Sequence, residues 1–315
     1  MADEIASSDQ GPEYRLASVH PRNRFRSGYD FARLVEKSPS LAEFVKPTVR
    51  GNASVDFADP RAVMALNQAL LADAYGLSWS VPPGALCPPV PGRSDYVHLL
   101  ADLLSGNDEA SIPRGREIRI LDIGAGANAI YPMIGAAEYG WSFVATEIDR
   151  TSMRWARQVI RVNRSIGPLI EYRLQPDPLA CFANVTAPGE RFAASMCNPP
   201  FHASAKDAAA GTSKKRRNLK LTNSDALNFG GRSNELICPG GELGFIERMI
   251  GESARRRNLC VWFTTLVSKS EHLPALKRSL RHTGAAIVKT IEMSQGQKKS
   301  RVLAWTFYDA AAPSR

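Results

Sequence analysis

Asn198, Pro199, Pro200 and Phe201 follow an apolar run, Phe192 to Cys197. The run reads as a buried strand, so the tetrapeptide falls where a strand ends at the rim of a sheet. Proline fixes φ and has no N–H, which leaves the carbonyls free to face a ligand. The Asn198 amide can both donate and accept. The Phe201 ring offers a flat face on which a base can stack. Such a ledge suits holding an exocyclic amine by its hydrogens while the nitrogen attacks a carbon. Taken alone, Asn-Pro and Pro-Pro are equally turn signals, and an upstream partner decides between the two.

That partner is a glycine-rich turn. Ile118 to Ile123 reads as a strand, Gly124-Ala125-Gly126-Ala127-Asn128 as a tight turn, and residues 129–139 as a helix. Glycines let a ligand approach the backbone, and a helix start offers unpaired N–H groups. A second apolar run, Trp141 to Thr146, ends in Glu147. Glu147 stands roughly 20 residues past the glycines, where an acid grips ribose hydroxyls in βαβ nucleotide sites. The third glycine of the dinucleotide fingerprint is missing, and Asp122 precedes the first by two positions. Asp-x-Gly-x-Gly with an acid at the next strand end is the pattern of S-adenosylmethionine sites. The competing reading is a turn that only permits packing, and the downstream ledge favours the cofactor. Asp122 is open to two roles, a ligand or a holder of the turn through nearby N–H groups.

With both motifs in place, the chain resembles the bacterial 23S ribosomal RNA adenine-N6 methyltransferase F family, whose eukaryotic relatives methylate adenine in structured RNA. The resemblance rests on His20-Pro21-Arg22-Asn23-Arg24, Leu86-Cys87-Pro88-Pro89-Val90-Pro91-Gly92-Arg93, Asp122 to Asn128, Tyr131-Pro132 and Asn198 to His202. It continues in Leu227-Asn228-Phe229-Gly230-Gly231, Gly240-Gly241-Glu242 and Gln295-Gly296-Gln297-Lys298, and runs from about Val19 to Tyr308. It implies an α/β, Rossmann-like class I S-adenosylmethionine-dependent methyltransferase, with a seven-stranded, mostly parallel sheet and an N-terminal helical extension. It also implies that Arg93 and Asn128 contact the methionine end of S-adenosylmethionine and that a residue within 175–177 flanks its adenine. The segment 295–299 would approach the substrate from the other side.

Charge points to the same partner. The 315 residues carry a formal net charge of +9. Arg15, Arg22, Arg24 and Arg26 occur without an acid between Tyr14 and Tyr29; Lys214, Lys215, Arg216 and Arg217 follow the ledge; Lys298, Lys299 and Arg301 form a third group. A single basic run is as often plain solvated surface. Three around one pocket favour a phosphate-binding rim, so the substrate contacts are assigned to Arg22, Arg24, Arg26, Lys214, Lys215, Arg216, Arg217, Lys298 and Lys299. Residues 203–220 read as a loop that orders on RNA. No Cys-x-x-Cys spacing occurs among the five cysteines, so neither a metal site nor a disulfide framework is expected. Cys197 reads as a packed strand residue rather than a nucleophile. No apolar run approaches the ~20 residues of a membrane span, and the expected setting is a reducing cytoplasm.

Elements must carry these residues to one place. Asp59-Pro60 is a helix start, and Val63, Leu66, Leu70 and Ala74 predict a helix over 60–75. Val81 to Gly92, with its prolines, reads as extended, and Ser94 opens a helix that stops at Gly106. From residue 117 onward, strands near 118–123, 142–147, 169–174, 192–197, 259–267, 285–292 and 301–308 alternate with helices near 129–139, 151–163, 241–257 and 271–283. This alternation predicts a mostly parallel sheet covered on both faces, with the last two strands joined as a hairpin. Ligands bind beyond the carboxyl ends of such strands, where Gly124, Glu147 and Asn198 all fall. The expected division is a tail at 1–17, an RNA-contacting extension at 18–107, the methyltransferase domain at 108–309 and a tail at 310–315.

The chemistry expected is transfer of a methyl group from S-adenosylmethionine to adenine N6 in 23S ribosomal RNA, free or within a large-subunit assembly particle. Asn198 Oδ1 and the Pro199 carbonyl would accept the two N6 hydrogens, with Phe201 stacked on the flipped base. His202 reads as a hydrogen-bonding loop residue rather than a base. Rival readings are methylation of a glutamine amide in a release factor, an RNA-binding assembly factor whose activity has lapsed, and DNA adenine methylation.

Overall fold

The computed structural model describes residues 19–48, 51–204, 236–295 and 298–309; the side chains of residues 294, 295, 298 and 299 lie outside the description. Near the N-terminus, α1 (Phe31–Lys37) is capped by Asp30, whose side chain accepts from Arg33 N–H. A 3-10 turn (Pro39–Phe44) and a short antiparallel pair, β1 (Val45–Pro47) with β2 (Ala53–Val55), follow. Helix α2 (Pro60–Tyr75) begins as expected, with Asp59 accepting from Arg61 N–H and Pro60 in the first turn, and it ends on Gly76 at φ 66°.

Helix α3 (Val90–Leu104) starts four residues before the Ser94 predicted from sequence. Pro91 lies in its first turn, where a missing N–H costs nothing. The extended reading of 81–92 is therefore corrected at its C-terminal end.

The central sheet has seven strands in the order β5-β4-β3-β6-β7-β9-β8. These are β3 (Arg119–Ile123), β4 (Ser142–Glu147), β5 (Ile170–Leu174), β6 (Phe192–Cys197), β7 (Cys260–Val267), β8 (Ile287–Gln295) and β9 (Lys298–Thr306). The first five run parallel, and β9 is antiparallel to both β7 and β8. Helices α4 (Ile130–Tyr139) and α5 (Arg150–Val162) connect β3, β4 and β5; α6 (Gly241–Arg255) precedes β7, and α7 (Leu273–His282) follows it.

Two cores flank the sheet. One contains Leu66 and Leu70 of α2, Tyr96 and Leu100 of α3, Ile134 of α4 and Ile160 of α5. The other contains Leu121, Phe182, Met249, Ile250, Phe263 and Trp305. The N-terminal helices thus share a core with the helices that carry the cofactor turn.

The His20-Pro21-Arg22-Asn23-Arg24 segment is bolted to that layer. His20 Nε2 and Arg22 Nη2 both meet Asp102, at 2.7 and 2.6 Å, and Arg22 Nε donates to the Tyr139 hydroxyl at 3.2 Å. Asn23 donates to Asp95 and to the Pro91 carbonyl. Arg24 pairs with Glu138 at 2.9 Å. His98 lies beneath, with Nδ1 2.6 Å from the Tyr139 hydroxyl. Burial, with His20 and Arg22 close by, lowers its pKa to about 3 and keeps the ring neutral.

Candidate active site

The glycine turn owes its shape to φ values open mainly to glycine. Gly124 and Gly126 lie at φ 70° and 68°, and Ala129 follows at 50°. The strain at Ala129 is braced from outside, since Trp79 Nε1 donates to the Asn128 carbonyl at 2.8 Å and Asn128 Oδ1 accepts from Ile130 N–H. A Cβ built on Gly124 would meet nothing within 4 Å, which leaves open space against the backbone where a ligand needs it.

Two neighbours on β4 hold the turn. Thr146 Oγ1 accepts from Gly124 N–H and donates to the Asp122 carbonyl, while Glu147 Oε2 accepts from Gly126 N–H at 3.0 Å and Oε1 from Asp149 N–H at 2.8 Å. The Asp122 side chain takes no part in this. Both its carboxylate oxygens are buried and have no hydrogen-bond partner. Of the two roles left open by the sequence, holding the turn is excluded. Burial pushes the Asp122 carboxyl up to about 8; nearby Arg93 acts against this shift, and Glu147 adds to it. Arg93 Nη1 donates to the Tyr131 hydroxyl at 2.7 Å, with its guanidinium over the Tyr131 ring.

On the other side, β6 delivers the ledge. The β3–β6 register pairs Ile123 with Cys197, and the β3–β4 register pairs Asp122 with Ala145. Continuing both registers sets Asn198, Gly124 and Glu147 level on three adjacent strands. At about 4.8 Å per strand, the ledge and the acid are roughly 10 Å apart with the glycine turn between them, a gap that a purine can bridge. Asn198 Oδ1 is buried and has no hydrogen-bond partner. Pro199 is buried, and Pro200 and Phe201 are half-buried. Burial raises the Cys197 thiol far above the usual range, as the packed-residue reading expects.

Beyond the ledge, His202 N–H donates to the Leu236 carbonyl and Cys238 N–H to the His202 carbonyl. The chain thus returns beside the ledge into α6. Glu242, fully buried in the first turn of α6, accepts from Ser268 N–H and Lys269 N–H and pairs with His272.

The remaining sequence assignments separate. Arg22 and Arg24 are engaged by Asp102 and Glu138, whereas Arg26 is exposed. Lys214, Lys215, Arg216 and Arg217 lie outside the described residues; Lys298 and Lys299 open β9, with side chains outside the description. Gln175 is tied down by the Ala183 carbonyl and Asp177 N–H.

Sequence reasoning missed Tyr96, Thr146, Trp79 and Thr264. Tyr96 is fully buried on α3, where a phenol needs a partner. Among the described residues there is no cluster fit to hold a metal and no helix long and apolar enough to cross a membrane.

The residues present fit an S-adenosylmethionine-type ligand. A buried orphan carboxylate, an open glycine turn, an acid at the next strand tip and an orphan amide oxygen meet at the carboxyl ends of three adjacent strands.

Comparison with known proteins agrees with the fold. A family profile described as RNA methyltransferase matches residues 14–309. The ribosomal RNA large subunit methyltransferase F of Methylobacillus flagellatus is 50% identical over 94% of this chain and 93% of that protein. The protein of the same name from Serratia proteamaculans is 47% identical over 93% of this chain and 89% of its own length. Among solved structures, the hMettl16 catalytic domain in complex with MAT2A 3′UTR hairpin 1 superposes with a TM-score of 0.80, at 34% identity over 95% of this chain and all of that one. The N-terminal domain of human METTL16 in complex with SAH gives a TM-score of 0.74, at 32% identity over 93% of this chain and all of that one.

Proposed function

The chain belongs to the RNA methyltransferase family and is an S-adenosylmethionine-dependent RNA methyltransferase, and on that premise we propose that its target is the N6 amine of one adenine in 23S ribosomal RNA. The observation that carries the reading is the buried, unpartnered Asn198 Oδ1, level with Gly124 and Glu147. A buried acceptor left without a partner costs free energy. An amine with two hydrogens to donate removes that cost.

In this reading Asn198 Oδ1 and the Pro199 carbonyl accept the N6 hydrogens. Adenine N6 is a poor nucleophile because its lone pair delocalises into the ring. Two acceptors below the amine draw the nitrogen toward tetrahedral geometry and turn the lone pair toward the cleft. Phe201 and Pro200 hold the flipped base. Asp122 and Arg93 face the methionine end of the cofactor, Gly124, Gly126 and Asn128 shape its bed, and Glu147 accepts from its ribose hydroxyls. The bound cofactor supplies an already activated methyl group. The protein therefore contributes alignment rather than a strong base, and no carboxylate or histidine dyad is needed at the ledge.

The extension at 18–107, with Arg26 exposed, and the Lys214–Arg217 and Lys298–Lys299 groups contact the RNA around the target base. The substrate is 23S ribosomal RNA, free or within a large-subunit assembly particle, in the cytoplasm. The METTL16 complexes with an RNA hairpin and with SAH support the pairing of these two ligands on one fold.

The deciding experiment replaces Asn198 by Ala and follows tritiated methyl transfer to 23S ribosomal RNA from a strain lacking this protein. Loss of turnover by at least 100-fold with SAH affinity retained is expected; turnover within threefold of wild type rejects the ledge.

A further inference from the structure

Helix α5 carries Arg150, Arg154, Arg157 and Arg161, with Arg164 just beyond its end, and no Asp or Glu lies between residues 150 and 164. The spacings alternate between four and three residues. At about 100° per residue, the four arginines within α5 then point within roughly 40° of one direction, and Arg164 follows just after the helix end. All five are exposed. Arg157 donates to the Tyr172 carbonyl at 2.7 Å, which turns the stripe toward the β5 edge of the sheet.

Among the described residues none of the five is in an ion pair, whereas Arg24, Arg33, Arg61, Arg119 and Arg173 each pair with a carboxylate. Folding does not call for this arrangement. Like charges three or four residues apart destabilise a helix, and Arg150 sits at the positive end of the helix dipole. The helix is held instead by Asp149 at its cap and by buried Met153, Ala156, Val159 and Ile160.

The stripe begins three residues after Glu147 and runs about 20 Å along the outer edge of the sheet. We propose that it is a track for the phosphate backbone of the RNA flanking the target base, a surface separate from the basic runs around the ledge. Fixed positive charges draw the phosphate backbone by releasing its counterions, whichever cation carries them. An acid-free row of them that starts beside the Glu147 strand end leads the substrate backbone away from the site.

The inference rests on RNA being the substrate, and its test keeps the two apart. The triple variant Arg150→Gln, Arg154→Gln, Arg161→Gln preserves helix propensity and spares Arg157. Its binding to 23S ribosomal RNA transcribed in vitro is measured by filter retention across a salt series, with SAH affinity as the control for folding. The expected result is a 10- to 100-fold rise in Kd near physiological salt and a log–log salt slope shallower by about 2, with SAH affinity within twofold of wild type. The matching triple Lys variant keeps most of the RNA affinity. Kd and slope unchanged in the Gln variant, or an equal loss in the Lys variant, overturns the track. If the triple Gln variant loses SAH binding, Arg154→Gln and Arg161→Gln singly must each weaken RNA binding about two- to fivefold, and no effect from either overturns it. Methyl transfer by the wild type to the same RNA is scored separately, so a chain that binds through α5 but transfers nothing indicts the substrate reading alone.

Discussion

The phenolic oxygen of Tyr96 accepts the backbone N–H of Cys197, the residue before Asn198, at 3.3 Å. The other bonds fix where each hydrogen goes. Thr264 Oγ1 donates to the Ser195 carbonyl at 2.7 Å, so the Tyr96 hydroxyl must donate to Thr264 Oγ1, also 2.7 Å away. The β6–β7 register ends at Ser195 with Phe263. Hydroxyls from α3 and β7 take over where that ladder stops. Tyr96→Phe leaves a buried N–H and a buried hydroxyl oxygen unpaired, a cost of about 1–3 kcal/mol. The ledge loosens with it. We expect kcat to fall about tenfold or more while SAH affinity, read by calorimetry, stays within about threefold. Thr264→Ser should keep the relay and its activity, and Thr264→Val should lose both. Full kcat in Tyr96→Phe would remove the role.

Asp122 makes the protein alkali-sensitive. Its folded pKa of about 8 lies above the ordinary carboxylate value of about 3.9. The native state therefore keeps a proton that the unfolded chain releases, and stability from this group declines from about pH 4 to about pH 8. Thermal melts of the ligand-free protein across that window should show a decline that Asp122→Asn lacks. Parallel curves for the two proteins would contradict it.

His98 acts in the opposite sense. Its folded pKa of about 3 lies below the ordinary value of about 6.5. The contribution is complete above pH 6.5 and is lost as pH falls toward 3, on the order of 3–5 kcal/mol in all. Because His98 lies under His20, Arg22 and Tyr139, acid should release the N-terminal segment first. Limited proteolysis between pH 7 and pH 4 checks this, with cleavage near residues 19–30 preceding loss of the sheet.

Gly135 has no room for a methyl group. A Cβ there would clash with Cζ of Phe143 and stand 2.7 Å from its Cε2. Gly135→Ala should destabilise the protein by about 1–3 kcal/mol. Adding Phe143→Leu should recover part of the loss, and additive effects in the double variant would show that the clash is not its cause.

Where a motif carries its own local physics, the sequence is readable. Asp59-Pro60 starts a helix by capping and a preset φ, and α2 begins there. The β3 and β6 runs end where Gly124 and Asn198 were expected, because apolar continuity and turn residues are local signals. Roles set across the chain were not readable. Whether Asp122 braces a turn depends on Thr146 and Glu147, more than 20 residues away. Tyr96 looked like one more core side chain until Cys197, 101 positions on, appeared against it. Arg22 and Arg24 formed a basic run with no acid in sight, since Asp102 and Glu138 arrive from α3 and α4.

Strand order has a consequence for biosynthesis. β9 lies between β7 and β8, so the strand nearest the C-terminus of the described residues is an interior strand. While the ribosome is still making residues before 298, β7 presents an unmatched border, with Phe263 and Val267 already committed to the apolar layer. The nascent sheet can close only when the hairpin emerges and Trp305 reaches its place beside Phe263. The sheet, and with it enzyme competence, thus waits for residues 298–306 to leave the ribosome.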